Sequence, residues 1–289
     1  MRNALRLLIF SLLLVAFLPL FMAGMVGFMV RLKTRNRGIT ATAYEPLVNR
    51  MLFHHAGTRD DRAAVRLAPH LPALSPTVAW LMIGTMGLAA RLSGYQGSIL
   101  SYPGARPSSM ISVMVHRTAF FDEALASAVD PTGPHPAQQV VFLGAGWDTR
   151  AYGALRDRPV RVFEVDTPAT QRAKTQALER AGIDASHVTF VETDFGQTSW
   201  LDALLVRGFD PALPTFILWE GVTMYLDEET VQTTLRKVSG LAVGSRIAFD
   251  TMSLEYFQGF FGQYTNLMLE GFYGESWQFF MSTRAPARK

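Results

Sequence analysis

The sequence has no cysteine in its 289 residues. That excludes a disulfide, a thiolate nucleophile and a cysteine-ligated zinc site. Charge is also sparse: Asp, Glu, Lys and Arg make up 18% of the chain, below the roughly 25% usual for soluble domains. The two signs nearly cancel, leaving a formal net charge of +3. So small an excess, with no Lys/Arg stripe and no interleaved stacking aromatics, argues against a nucleic-acid partner. No internal repeat or low-complexity run interrupts the chain, and no set of metal ligands stands out.

Apolar residues are abundant, at 49% of the chain. Leu7 to Val30 runs without a charge. Such a run crosses a hydrocarbon core of roughly 30 Å at about 1.5 Å per helical residue. Arg2 and Arg6 precede it, and Arg31, Lys33, Arg35 and Arg37 follow. A cleaved signal peptide is the rival reading, but its apolar core is usually about 7–15 residues and ends at a small-x-small site. Here the run leads straight into a basic cluster, so an uncleaved transmembrane anchor is expected. The basic flank favours a cytoplasmic location for the chain that follows, although Arg2 and Arg6 weaken that bias. A second apolar stretch, Leu74 to Ala90, is shorter and interrupted by Pro76, Gly84 and Gly87. It reads as a buried or interfacial helix, with a membrane-spanning helix as the alternative.

Residues 31–104 read as helical, with breaks at Gly57, Pro69, Pro72 and Pro76. Met110 to Val129 reads as one amphipathic helix with Phe120, Phe121 and Leu125 on its apolar side. The cluster from Asp130 to Pro136 (DPTGPHP) is a strong breaker and marks a linker. Beyond it the pattern alternates. Strands are expected at 139–143, 160–165, 187–192, 215–219 and 245–250. Helices are expected at 168–181, 199–205 and 227–241, with another able to begin over 149–155. Alternation of this kind predicts an α/β fold with a doubly wound, mostly parallel sheet and right-handed crossovers.

Ligands of such sheets bind beyond the carboxyl ends of the strands. Each of the first four expected strands ends in a suggestive group. The first ends in Gly144-Ala145-Gly146, where a ligand can approach backbone without meeting a Cβ. The dinucleotide fingerprint needs a third glycine, and Thr149 occupies that position, so a nicotinamide or flavin fingerprint is incomplete. The second ends in Glu164-Val165-Asp166, about 20 residues on, where an acid suits two ribose hydroxyls. Alternatively, Asp166 simply places a negative charge at the start of the next helix. The third is followed by Asp194-Phe195, an acceptor for an adenine amino group beside an aromatic that can pack on the base. The fourth is followed by Glu220-Gly221, where an acid can hold an ammonium group or cap a turn.

Three ordered motifs turn this pattern into a specific resemblance. They are Gly144 to Arg150 (GAGWDTR), Glu164-Val165-Asp166 with Pro168, and Trp219-Glu220-Gly221 with Met224-Tyr225-Leu226. Together with Thr42-Ala43-Tyr44 and His116 to Asp122 (HRTAFFD), they resemble the leucine carboxyl methyltransferase family, most closely its bacterial branch. The resemblance covers roughly residues 38–250. It implies a class I, Rossmann-like S-adenosyl-L-methionine-dependent methyltransferase, with an N-terminal transmembrane helix and a helical extension added in this chain. It also implies that Arg117 binds the cofactor carboxylate and that Gly144 and Gly146 lie against its methionine part. Asp166 would bind the ribose, Asp194 and Phe195 the adenine side, and Glu220 the amino-acid end. No metal is implied, and no catalytic residue is fixed. A carboxylate acceptor needs no general base; a hydroxyl acceptor does, and Tyr225, His116 and Glu220 are the candidates.

The expected division is a membrane anchor with its basic flank at 1–37, a helical substrate or lid region at 38–136, and a cofactor-binding core at 137–289. The expected setting is the cell (inner) membrane, with the catalytic domain in the cytoplasm and a small or lipid-like acceptor. Family members usually run some tens of residues further, so the last strands of the sheet are expected to be incomplete. That leaves Phe260, Phe261, Phe272, Phe279 and Phe280 exposed. It also keeps open a catalytically impaired chain acting as a membrane-associated binding module.

Overall fold

In the sheet, short apolar runs become strands, with Glu164 of the second strand as a buried acid among them. Gln139–Leu143 (β1) and Thr215–Trp219 (β4) are buried at every position. Arg161–Asp166 (β2) is exposed only at its first residue and half-buried at its last. Val188–Glu192 (β3) and Arg246–Phe249 (β5) complete a five-stranded sheet in the order β3-β2-β1-β4-β5. β1 runs parallel to β2 and to β4, and β5 runs parallel to β4. Strands buried on both faces read as continuous apolar runs, as parallel sheets require.

The computed structural model describes residues 2–97, 100–103, 112–194 and 199–284. Its helices are Arg2–Arg35 (α1), Tyr44–His55 (α2), Arg62–Leu67 (α3), Pro76–Ala79 (α4), Thr85–Ser93 (α5) and Val113–Ala128 (α6). They continue with Pro168–Arg180 (α7), Trp200–Val206 (α8), Glu228–Ser239 (α9), Leu254–Gln258 (α10) and Phe260–Tyr273 (α11). The chain divides into two compact units. A helical unit comprises Met1–Ala124, Gly146–Arg158 and Pro168–Val188. A sheet unit comprises Leu125–Ala145, Pro159–Thr167 and Thr189–Lys289.

In the helical unit, α4, a π-helical turn at Trp80–Gly84 and α5 follow one another without a break. Ser75 caps the start, its hydroxyl accepting from the Val78 amide at 3.2 Å. Pro76 therefore opens this helix as its first residue, where a missing N–H is harmless, instead of interrupting it. α1 is long and apolar enough to cross a membrane, and only 11% of its most apolar stretch is buried. Phe121 and Leu125 of α6 are buried as expected, whereas Phe120 is half exposed. Adjacent residues on a helix diverge by about 100°, so both phenylalanines cannot face one core.

In the sheet unit, Val141, Phe163, Val191, Ile217, Trp219 and Val231 share one apolar core. The helix expected to begin at Thr149 is only a 3₁₀ turn, Arg150–Tyr152. The stretch after β5 is a two-residue strand, Met252–Ser253 (β6), which pairs with Phe280–Met281 (β7) outside the main sheet. Phe260, Phe261 and Phe272 are exposed. Phe279 and Phe280 are not: Phe279 packs on the apolar core, and the Phe280 ring lies 4.1 Å from Phe257.

Candidate functional site

The strand order reverses at β1, whose neighbours are β2 on one side and β4 on the other. Such a switch point opens a crevice at the carboxyl ends of the strands. Gly144 follows β1 there with φ of +67°. A Cβ at this position would collide with the Val222 side chain in the loop after β4. Only glycine lets the two loops approach this closely. The Gly144 and Ala145 amides both donate to the Val165 carbonyl, at 2.8 and 3.0 Å, which fixes the turn.

Asp166 is the last residue of β2 and half-buried. Its carboxylate accepts from the Thr167 amide at 2.7 Å, and its carbonyl accepts from the Thr193 amide at 2.9 Å. Glu164, two residues earlier on the same strand face, is fully buried. Of the two acids, Asp166 alone reaches the strand end. Asp194 lies just past β3 and is exposed. Glu220 directly follows β4 and is half-buried. The next residue, Gly221, donates its amide to the Asp250 carboxylate at 2.7 Å. Gly144, Asp166, Asp194 and Glu220 thus stand at the carboxyl ends of four strands of one sheet. Phe195 lies outside the described residues. Arg117 and Gly146 belong to the helical unit. Arg117 is half-buried on α6, with Nη1 3.8 Å from the Met114 sulfur.

Two further groups lie at these strand ends: Thr193, which had no signal in the sequence, and Trp219, which falls within a motif but was given no role. The Thr193 hydroxyl, after β3, and the Trp219 indole N–H, at the end of β4, are buried with no hydrogen-bond partner in the protein. A buried, unsatisfied donor or acceptor costs about 1–3 kcal/mol. The glycine turn and the three acids Asp166, Asp194 and Glu220 together fit a charged nucleoside with a sugar and an amino-acid tail.

The helical unit holds a second polar constellation. Asp122 of α6 accepts from Arg59 at 2.6 and 3.2 Å, from Arg150 at 2.6 Å and from the Tyr102 hydroxyl at 2.7 Å. Asp148 accepts from Arg150 at 2.5 Å and from Arg50 of α2 at 3.4 Å. Asp61 accepts from Arg59 at 2.5 Å and from the Thr149 hydroxyl at 2.9 and 3.0 Å. Burial alone would raise the Asp122 carboxyl, but Arg150 and Arg59 override it and hold it at about 2. Asp148 is held well below the usual carboxylate range in the same way, by Arg150 and Arg50 against burial. Burial, then Asp122, pushes the Tyr102 phenol up to about 12. These groups remain charged or protonated at neutral pH and fix the segment from Trp147 to Arg150 in place. Asp122, Asp148 and Arg150 fall within the motifs of the sequence, but Arg50, Arg59 and Asp61 carried no signal.

The profile of the leucine carboxyl methyltransferase family matches residues 88–239, more than half of the chain. The chain belongs to the leucine carboxyl methyltransferase family. The matched segment includes Gly144, Asp166, Asp194 and Glu220 and excludes α1. One relative, from Saccharopolyspora erythraea, carries the provisional name of S-adenosyl-L-methionine-dependent methyltransferase. It is 37% identical over 155 residues, 52% of each chain. A Mycolicibacterium vanbaalenii protein of the same provisional name is 32% identical over 194 residues, covering 65% of this chain and 62% of its own length. A solved structure of a provisionally assigned methyltransferase from Thermobifida fusca is 17% identical, with a TM-score of 0.43, covering 80% of this chain and 74% of its own. The chain spans about half the length of the first curated family relatives it matches.

Proposed function

We propose that this family member is an S-adenosyl-L-methionine-dependent methyltransferase that works at a membrane. It transfers the methyl group to an oxygen, either carboxylate or hydroxyl, of a small or lipid-like acceptor. The observation that carries the reading is the row of Gly144, Asp166, Asp194 and Glu220 along the carboxyl ends of four strands, in the order the family motifs imply.

In this reading Asp166 accepts from both ribose hydroxyls, and Asp194 with Phe195 holds the adenine side. Gly144 gives the methionine part close access to backbone, and Glu220 pairs with its ammonium. The motif correspondence assigns Gly146 to the same glycine turn and Arg117 to the cofactor carboxylate, where a guanidinium can bind in bidentate fashion. The bound cofactor supplies an electrophilic sulfonium methyl group. The chain's own contribution is to align donor and acceptor and to exclude water. A carboxylate acceptor needs no proton removed. For a hydroxyl acceptor, Tyr225, His116 and Glu220 are the groups able to take a proton.

Residues 1–37 serve as the anchor, 38–136 as a helical substrate or lid region and 137–289 as the cofactor core. The charge-free run of α1 and its basic ends support attachment to the cytoplasmic face of the cell membrane. A thermal-shift titration tests the cofactor assignment. S-adenosylhomocysteine at 100 times its Kd is expected to add about 2.7 kcal/mol of stability. Asp166→Ala, Asp194→Ala and Glu220→Ala are each expected to reduce the shift. A shift that persists unchanged in all three overturns the assignment.

A further inference from the structure

α1 is docked along its length to the helix that runs from Pro76 to Ser93. At one end, the Arg31 guanidinium donates to the Leu74 carbonyl at 2.8 Å. Gly27 faces Val78, and a Cβ on Gly24 would lie 2.8 Å from the Leu81 Cβ. At the other end, the Phe10 and Tyr95 rings stack at 5.0 Å, and the Arg6 guanidinium lies beside Gly94. Residue numbers rise along one helix as they fall along the other, so the pair is antiparallel and in register from Phe10 to Arg31. Phe10, Gly24, Phe28 and Leu32 form the buried stripe of α1. Its spacing is helical, so the opposite face is left outward.

That outward face is apolar. Leu12, Val15, Leu18, Met22, Val26 and Val30 are each about half exposed or more. Trp80, Leu88 and Leu92 extend it on the neighbouring helix. The first charges met in either direction are basic: Arg6 before the run, and Arg31, Lys33 and Arg35 after it. An apolar strip closed at both ends by cations matches an anionic phospholipid leaflet, with acyl chains against the strip and headgroups at its ends.

The same docking bears on how α1 meets the lipid. A helix that crosses the bilayer carries whatever is packed beside it to the same depth. By the register above, Arg91 comes level with Leu14, inside the apolar run. Arg91 is exposed, and its Nε donates to the His55 carbonyl of α2 at 2.7 Å. α2, whose Tyr44 ring packs on Phe28 of α1 at 5.5 Å, also carries Arg50 into the ion network with Asp148. A crossing α1 would therefore place Arg91 and α2 within the hydrocarbon region. There an Arg costs roughly 2.5–3.5 kcal/mol or more.

We propose that α1 lies in the plane of one leaflet as a monotopic anchor, docked to its own unit along its length, with its outward face in contact with anionic lipid. The proposal rests on the membrane attachment proposed above and replaces a crossing anchor with an in-plane one. Both ends of α1 then stay on the same side of the membrane, and the acceptor is drawn from that leaflet.

The absence of native cysteine makes the test direct. Single variants Asn3→Cys and Thr34→Cys of the full chain are added to sealed vesicles of phosphatidylcholine and phosphatidylglycerol. The chain is expected to float with the vesicles. Both cysteines are expected to react with a membrane-impermeant maleimide in intact vesicles, at rates within about twofold of those after detergent lysis. Val15→Cys and Val26→Cys, carrying a fluorophore, are expected to report one shared, shallow depth to lipid-borne quenchers. If one end is protected until lysis, or the two depths differ as along a crossing helix, the in-plane anchor is overturned and the membrane reading stands. If the chain fails to float, both membrane readings are overturned, while S-adenosylhomocysteine binding is still judged separately.

Discussion

The sheet unit fills its interior with Val141, Phe163, Ile217 and Trp219, none of which carries a charge. The helical unit instead gathers Arg50, Arg59 and Arg150 around Asp61, Asp122 and Asp148, with side-chain exposures between 1% and 18%. In the first kind of interior the loss of one methylene costs only about 0.5–1.5 kcal/mol, because the energy is spread over many weak contacts. The second concentrates its energy in a few charges, and each lost partner leaves another charge buried and uncompensated. The segment Trp147–Arg150, just beyond the glycine turn, depends on the second kind. The geometry of that loop is therefore set by ions, while the strands before it are set by apolar packing.

Substitutions that remove one element from each interior break this comparison, and the largest effect falls on the ion network. Asp122→Ala is expected to destabilise by about 3–5 kcal/mol, read as a lower urea midpoint at unchanged slope. A loss under about 1 kcal/mol would mean that Arg59 and Arg150 find other partners. Acid has the next largest effect. The Asp122 carboxyl is depressed in the folded state to about 2, so its contribution is fully present above pH 4. That contribution is lost as pH falls through about 2. The depression corresponds to about 2 kcal/mol, and Asp122→Asn is expected to flatten the stability profile between pH 4 and 2. In the sheet unit, Ile217→Val removes one buried methylene and is expected to cost about 0.5–1.5 kcal/mol. Smallest is Ser75→Gly at the start of the Pro76 helix, expected to cost a few tenths of a kcal/mol. If Ile217→Val costs more than Asp122→Ala, the contrast between the two interiors is wrong.

The same contrast explains what could be read from the sequence. β1 and β4 match their expected bounds because a strand buried on both faces leaves an unbroken apolar run. The groups at the strand ends follow from those bounds by counting. The ion network does not, because Arg50 meets Asp148 across 98 positions of sequence and no local period marks such a pair. It also accounts for a misread element. Asp148 accepts from the Arg150 amide at 2.8 Å and from its guanidinium at 2.5 Å. This turns the chain into a 3₁₀ turn where propensity suggested a helix from Thr149. After β5 the apolar period of residues 254–272 reads as one helix. Gly259, extended at ψ 160°, divides it into α10 and α11. Phe279 and Phe280 are covered by packing within the same unit, which a one-dimensional pattern does not register.

The central claim is that the strand-end row of the sheet unit holds S-adenosyl-L-methionine. Calorimetric titration of the full chain in vesicles or detergent with S-adenosylhomocysteine tests it most directly, with NADH as the counter-titrant and Asp166→Ala as the paired variant. The account predicts saturable micromolar binding of S-adenosylhomocysteine, at least tenfold weaker in Asp166→Ala, and no binding of NADH. Absence of S-adenosylhomocysteine binding by the folded, unmodified chain, or equal binding by the variant, would contradict it.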